Sequence, residues 1–123
     1  MEKITVINSG DITSVLDLPL DQNPAAVYLG ALQPTGRRGA KRALDLVAGI
    51  LSNGAVGCFE INWGAVRFQH AAAIRARMAN HYSPATTNHA LSALRGVVKA
   101  AWQLGQMKAE DYQATAAIKS VRG

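Results

Sequence analysis

The sequence holds few residues of the kinds that form covalent links, metal sites or membrane spans. The lone cysteine, Cys58, excludes an internal disulfide and a metal site made of several thiolates. No apolar run approaches the roughly 18 residues that cross a bilayer, so we expect no helical membrane span and no membrane partner. From these absences we expect a reduced, soluble protein of the cytoplasm.

Groups that perform catalysis are equally scarce. His70, His81 and His89 follow one another at intervals of eleven and eight residues, with no carboxylates arranged around them, and this spacing matches no zinc site. Asp45 and Glu60 form no evident acid–base pair, and the cysteine would need a paired base to act as a nucleophile. The sequence therefore predicts no metal, no cofactor and no catalytic residues in this chain, which we do not expect to be an enzyme by itself.

What the chain does contain is basic charge, concentrated in its middle. Its 123 residues, enough for one domain, hold 13 Lys and Arg against 8 Asp and Glu, a net charge of +5. Residues 1–36 carry a net charge of −3, residues 37–99 carry +7 and residues 100–123 carry +1. Such segregation favours a partner that bears phosphate, whereas the plain alternative is a solvated helix face.

Helix signals dominate the chain after residue 22. Asn23-Pro24 and Ser83-Pro84 each place a cap residue before a proline at the first helical position, and Gly105 is a typical helix stop. We expect five helices: Pro24 to about Leu32, Gly36 to Leu51, Trp63 to about Ala79, Pro84 to about Leu104, and Ala109 to Ile118. The prediction is an all-α fold, a compact bundle of four to five short helices over residues 23–123, after an irregular leader at residues 1–22.

Helical periodicity separates an apolar stripe from a polar row on two of these helices. At 100° per residue, the predicted second helix groups Arg37, Arg38, Lys41 and Asp45 within an arc of about 100° beside its core residues. The polar row of the predicted fourth helix contains no acidic residue, although an ordinary solvated face usually interleaves Glu with Lys. That row comprises Asn88, Ser92, Arg95 and Lys99, Thr86 and Thr87 precede it in the first turn, and the core stripe beside it comprises Leu91, Leu94, Val98 and Ala101.

The residue types of these rows suit DNA. Arginine and lysine contact guanine or phosphate, asparagine can pair with adenine through two hydrogen bonds, and serine or threonine serve either role. Backbone N–H groups near Thr86 and Thr87 favour a phosphate, because they lie in the first turn of the predicted helix, and His89 is placed to touch one. The alternatives are that Thr86 merely caps its helix and that Asn88 and Ser92 are simply solvated.

One stretch of the chain resembles a known family. Residues 82–99 carry Ser-Pro-x-Thr-x-Asn-x-x-Leu-x-x-Leu-Arg, followed by Trp102 and the turn Leu104-Gly105. This is similar to the last long helix of the N-terminal, SAM-like core-binding domain of tyrosine recombinases, the phage-type integrases. Weaker likenesses extend the resemblance over residues 23–123. Pro34-Thr35-Gly36-Arg37-Arg38 resembles the start of that domain's second helix, and Trp63 followed by Ala73-Ile74-Arg75 resembles its third.

The resemblance implies a helical domain that forms one half of a C-shaped clamp on a recombination site, for DNA integration or recombination. Its second and fourth helices would face the major groove of double-stranded DNA. Carried over position by position, it assigns DNA contact to Arg37, Arg38, Lys41, Thr86, Thr87, Asn88, Ser92, Arg95 and Lys99. Neutralising about four to six phosphates would make binding strongly dependent on salt.

The resemblance also implies partners beyond DNA. The family's catalytic domain would follow residue 123 of the same parent chain, so this fragment alone would not cleave a strand, and protomers would meet on the DNA. Tyr28, Tyr82 and Tyr112 are accordingly not the family's nucleophile, and the parent protein would be bacterial or phage-derived and associated with DNA. The alternative is a helical SAM-like module for protein–protein interaction, which predicts an exposed apolar patch and association that is insensitive to salt.

Overall fold

The computed structural model describes residues 18–122, and within that range it contains helices, turns and connectors but no strand. This confirms the predicted all-α class. The five α-helices are α1 (Pro24–Ala31), α2 (Pro34–Ser52), α3 (Phe68–His81), α4 (Pro84–Gln103) and α5 (Ala109–Ala116), and short 3-10 turns lie at Leu20–Gln22 and Trp63–Ala65. Of the leader predicted at residues 1–22, residues 1–17 lie outside the described residues.

Local capping explains why the helices begin and end where they do. The Asn23 side chain accepts hydrogen bonds from the backbone N–H groups of Ala25 and Ala26 at 3.1 and 3.3 Å, which starts α1. Ser83 Oγ accepts from the N–H of Thr86 at 3.1 Å and starts α4. Gly105 follows α4 with φ of 79°, the left-handed conformation that glycine adopts without strain. The sequence prediction is confirmed at these three positions.

The boundaries of three helices differ from the prediction. The second helix begins at Pro34 instead of Gly36, and the last ends at Ala116 instead of Ile118. The third helix begins at Phe68 instead of Trp63, because its start is held by an unusual cap: the Arg67 N–H donates to His70 Nδ1 at 2.8 Å. Partial burial, followed by the nearby Arg67 charge, lowers the pKa of His70, which keeps the ring in the neutral form that can accept this bond.

α4 is the central element of the bundle, since it packs against every other α-helix. Its predicted core residues, Leu91, Leu94, Val98 and Ala101, are all fully buried. Trp63 is also fully buried, and its Nε1 donates to the carbonyl of the buried Cys58 at 2.8 Å. None of the helices within residues 18–122 combines the length and apolar character that a bilayer crossing requires.

Candidate nucleic-acid interface

Arg37 does not project freely from the basic arc of α2. Its Nε donates to the carbonyl of Leu29 at 2.9 Å and its Nη2 to that of Leu32 at 2.8 Å, with Gly30 O further away at 3.5 Å. Leu29 and Gly30 lie in the last turn of α1 and Leu32 is its C-terminal cap, and carbonyls at a helix end lack the regular bond from four residues ahead. Arg37 therefore closes the end of α1. Its role in the structure is to join two helices, although the sequence predicted a DNA contact.

Lys41 is also paired within the fold. Its Nζ lies 2.8 Å from Asp45 Oδ2, one helical turn along α2, and Asp45 Oδ1 accepts from the N–H of Cys58 at 2.9 Å. Partial burial alone would raise the pKa of Asp45, but the hydrogen bonds from Lys41 and Cys58 outweigh it and hold that pKa below its usual value. The positive charge of Lys41 thus has a counterion one helical turn away on the same helix.

Side chains of the polar row of α4 hydrogen-bond to the backbone of residues 116–121, which we call the C-terminal segment. Asn88 makes two bonds to it: Nδ2 donates to the carbonyl of Val121 at 2.9 Å, and Oδ1 accepts from the Val121 N–H at 2.7 Å. Arg95 donates from Nε to the carbonyl of Ala116 at 3.3 Å and from Nη2 to that of Ile118. Two of the four residues of the predicted DNA row are therefore engaged with main chain.

Arg75 of α3 extends the same arrangement. Its Nε donates to the carbonyl of Lys119 at 2.8 Å and its Nη2 to that of Ser120 at 3.1 Å. Together with Asn88 and Arg95, it binds the backbone of the C-terminal segment at nearly every residue. The chain consequently leaves the domain along a defined path over α3 and α4.

Thr87 lies on the opposite side of α4 from the open surface. It is fully buried, and within residues 18–122 its Oγ1 has no hydrogen-bond partner. A side chain with no accessible surface cannot touch DNA, so the assignment of Thr87 as a DNA contact is wrong. Its position in the first turn of the helix was the reason for the prediction, but that position does not specify the side of the helix.

The basic and hydroxyl side chains that remain open lie on the exposed sides of α2 and α4, and some of them line a cleft between α2 and the first turns of α4. Arg42 shares a cleft of about 350 Å³ with Thr86 and His89, and the imidazole Nε2 lies 3.3 Å from the carbonyl of Gly39 across the cleft. Arg38 is exposed one turn before Arg42, and neither guanidinium has a partner within residues 18–122. We call this surface the α2–α4 face. It comprises Arg38, Arg42, Thr86, His89, Ser92 and Lys99, all of them exposed.

Thr86 has a local role that leaves part of its hydroxyl free. Ser83 Oγ accepts from the Thr86 N–H and donates to Thr86 Oγ1 at 3.0 Å. The hydroxyl proton of Thr86 is left to donate toward the cleft. The alternatives of a local cap and a ligand contact are therefore compatible at this residue.

No carboxylate opposes the α2–α4 face. The described residues contain five acidic side chains, and none of them lines the cleft between α2 and α4. Asp45 lies on the same arc of α2 as Arg38, and its two carboxylate oxygens are held by Lys41 and by the N–H of Cys58. The face thus presents guanidinium, ammonium and hydroxyl donors, which are groups that bind phosphate oxygens. The described residues contain no cluster of three or more His, Cys, Asp or Glu that could hold a metal ion.

Sequence reasoning missed Arg42. It follows Arg38 by four residues and so lies on the same exposed stripe of α2, one helical turn away. Measuring the arc from Arg38 rather than from Arg37 would have included Arg42 and excluded Arg37.

Comparisons of the chain with protein-family models, with curated proteins and with solved structures found no match.

Proposed function

We propose that this chain is a double-stranded DNA-binding domain of the core-binding type found in tyrosine recombinases, and that it grips the recombination site through the α2–α4 face. The observation that carries the proposal is the cleft in which Arg42, Thr86 and His89 converge with no acidic residue among its lining. The domain would bind DNA without cleaving it. Cleavage would fall to a catalytic domain in the same parent protein, with further protomers assembled on the same DNA.

The chemistry of the face matches the backbone of DNA. Phosphate oxygens accept hydrogen bonds from arginine, threonine and backbone N–H groups, and such contacts fix a protein's position on the duplex. The first turn of α4 adds the positive end of a 20-residue helix, which favours an anion at the same place. Arg42 and Thr86, which line the same cleft, can therefore act together on a phosphate group, while His89 Nε2 is occupied by the carbonyl of Gly39.

The number of unpaired cations sets the expected salt dependence. Arg38, Arg42 and Lys99 are the members of the face that carry a full charge and have no partner within residues 18–122. Three neutralised phosphates give a slope of about −2.7 for log K against log salt, at roughly −0.9 per phosphate. This is a lower estimate than the four to six phosphates predicted from the sequence, because Arg37, Lys41 and Arg95 are engaged within the fold.

A fluorescence titration of a labelled duplex tests the proposal. Binding should weaken steeply between about 50 and 200 mM salt, and Arg42→Ala should reduce the magnitude of the slope by about 1. Lys108→Ala is the matched control, because it removes the same charge from an exposed residue outside the α2–α4 face. Failure to bind any duplex at low salt would overturn the proposal, and so would an equal loss in the two variants.

A protein-interaction module remains the second candidate, and one observation favours it. An open groove of about 590 Å³ is lined by Leu20, Leu29 and Phe59, and Leu20 has 73% of its surface exposed. Arg37, Arg38 and Lys41 of α2 form the basic side of the same groove. If the chain works through this groove, association with a protein partner will be insensitive to salt, and Leu20→Asp will abolish it. DNA binding by way of Arg42 would be unaffected by the same substitution.

A further inference from the structure

We propose that Asn88 and Arg95, the side chains of α4 best suited to base recognition, do not recognise bases and that the domain holds duplex DNA by its backbone. The inference rests on the proposed DNA binding. It comes from the contacts of Asn88 and Arg95. The polar atoms that each would use to bind a base are hydrogen-bonded within the fold.

Asn88 is the decisive residue. An asparagine recognises adenine with two bonds made by one edge of its amide, with Nδ2 donating and Oδ1 accepting. In this fold the same two atoms are bound to the carbonyl and the N–H of Val121, at 2.9 and 2.7 Å. Asn88 would have to release the C-terminal segment before it could pair with adenine, and two backbone groups would then lose their partners.

Arg95 is engaged in a comparable way. An arginine recognises guanine with two N–H groups of its planar fork. The Nε and Nη2 groups of Arg95 are directed to the carbonyls of Ala116 and Ile118, and its side chain is half-buried. Arg37 uses the same pair of nitrogens on the end of α1. Two of the three arginines that the sequence assigned to DNA therefore direct this edge at protein carbonyls.

The groups that stay free suit phosphate. Arg42 shares its cleft with the Thr86 hydroxyl, and both are left as donors there, whereas His89 Nε2 already lies 3.3 Å from the Gly39 carbonyl. A guanidinium beside a hydroxyl is a pairing that suits a phosphate group. Ser92 and Lys99 continue along the exposed stripe of α4 as short or point-like donors. Arg38 is the one free guanidinium on the face outside that cleft, and the test therefore includes guanine recognition as an outcome.

Selection from a library of random duplexes tests the inference with the full chain. We expect the bound pool to show no enriched motif, and duplexes of only A·T or only G·C pairs to bind within about threefold of each other, since one recognised base pair typically changes affinity by more. An enriched motif, whether centred on adenine or on guanine, would overturn the inference while leaving the proposed DNA binding intact. Retention of no duplex at all would instead overturn the proposed function.

An asparagine variant gives a second, independent measurement. Asn88→Ala should leave the affinity for duplex DNA within about twofold of the parent chain, while hydrogen exchange at the Val121 amide accelerates because its acceptor is gone. Arg42→Ala serves as the comparison and should weaken binding to all duplexes alike. If Asn88→Ala lowers the affinity tenfold or more with an unchanged unfolding midpoint, or lowers it for adenine-containing duplexes only, the inference is wrong.

Discussion

Replacing Arg95 by alanine should destabilise the domain, because Arg95 holds the C-terminal segment against α4. Its guanidinium donates to the carbonyls of Ala116 and Ile118, and the first of these bonds is long at 3.3 Å. Hydrogen bonds from charged groups contribute about 1.5–3 kcal/mol each, and the long bond adds less, so we expect a total loss of about 1.5–3 kcal/mol. At about 4 °C per kcal/mol for a domain of this size, the thermal midpoint should fall by about 6–12 °C.

Lys99→Ala is the matched control for this measurement. Lys99 lies one turn further along the same polar row, is exposed and has no partner within residues 18–122. An exposed substitution of this kind changes stability by less than about 0.5 kcal/mol. Arg95→Lys should recover only part of the loss, because an ammonium lacks the planar fork that reaches two carbonyls.

The assay is thermal unfolding followed by circular dichroism at low and at high salt. Bonds to carbonyls survive salt better than exposed ion pairs do, so the difference between Arg95→Ala and Lys99→Ala should persist. Equal midpoints for the two variants would refute the structural role of Arg95. A loss of DNA affinity in Arg95→Ala without any loss of stability would return that residue to the interface.

Three further predictions follow from buried or closely packed positions. Thr87→Val should stabilise the domain by about 1 kcal/mol, because it removes a buried hydroxyl that has no hydrogen-bond partner within residues 18–122. It should leave the affinity for DNA unchanged, and a loss of affinity would contradict the burial of Thr87. Gly96→Ala should lower the free energy of unfolding by about 1–2 kcal/mol in a urea titration, because an added Cβ would meet the Tyr28 ring. Gly49→Ala should raise it instead, because nothing lies within 4 Å of a Cβ added there. Effects of the same sign at both sites would refute the close packing of Gly96 against Tyr28. The pKa of His70 is lowered in the native state, so its contribution to stability is complete above the unfolded pKa of about 6.5 and is lost as pH falls through the native pKa. His70→Gln should flatten this part of the curve of stability against pH. An unchanged curve would refute the role of His70 in capping α3.

The parts of the fold that could be predicted from sequence are those decided by neighbouring residues. The caps at Asn23 and Ser83 and the stop at Gly105 are local chemistry, and the structure has all three. The start of α3 escaped prediction because Arg67 and His70 form its cap, a pair outside the usual serine, threonine and glutamate pattern.

The site was harder to predict, because whether a side chain is free or hydrogen-bonded within the fold depends on partners distant in sequence. Periodicity correctly found an acid-free polar row on α4, but such a row suits solvent, phosphate or backbone carbonyls equally well. Asn88 and Arg95 meet carbonyls that lie 21 to 33 residues away, which no helical period can indicate. Arg37 meets the end of the preceding helix for the same reason. On α4, the packing of α5 and the C-terminal segment separates the engaged side chains from the free ones.

The location of the interface is the central claim, and an NMR titration of the isotope-labelled full chain with a short duplex tests it most directly. We predict that amide shifts will concentrate on residues 38–42 of α2 and residues 85–92 of α4, while α5 (Ala109–Ala116) and the amide of Val121 remain in place. The shifts should vanish as salt is raised, because the contacts are to phosphate. Shifts centred on α5 and the C-terminal segment, or on Leu20, Leu29 and Phe59 of the apolar groove with residues 85–92 unchanged, would contradict the account.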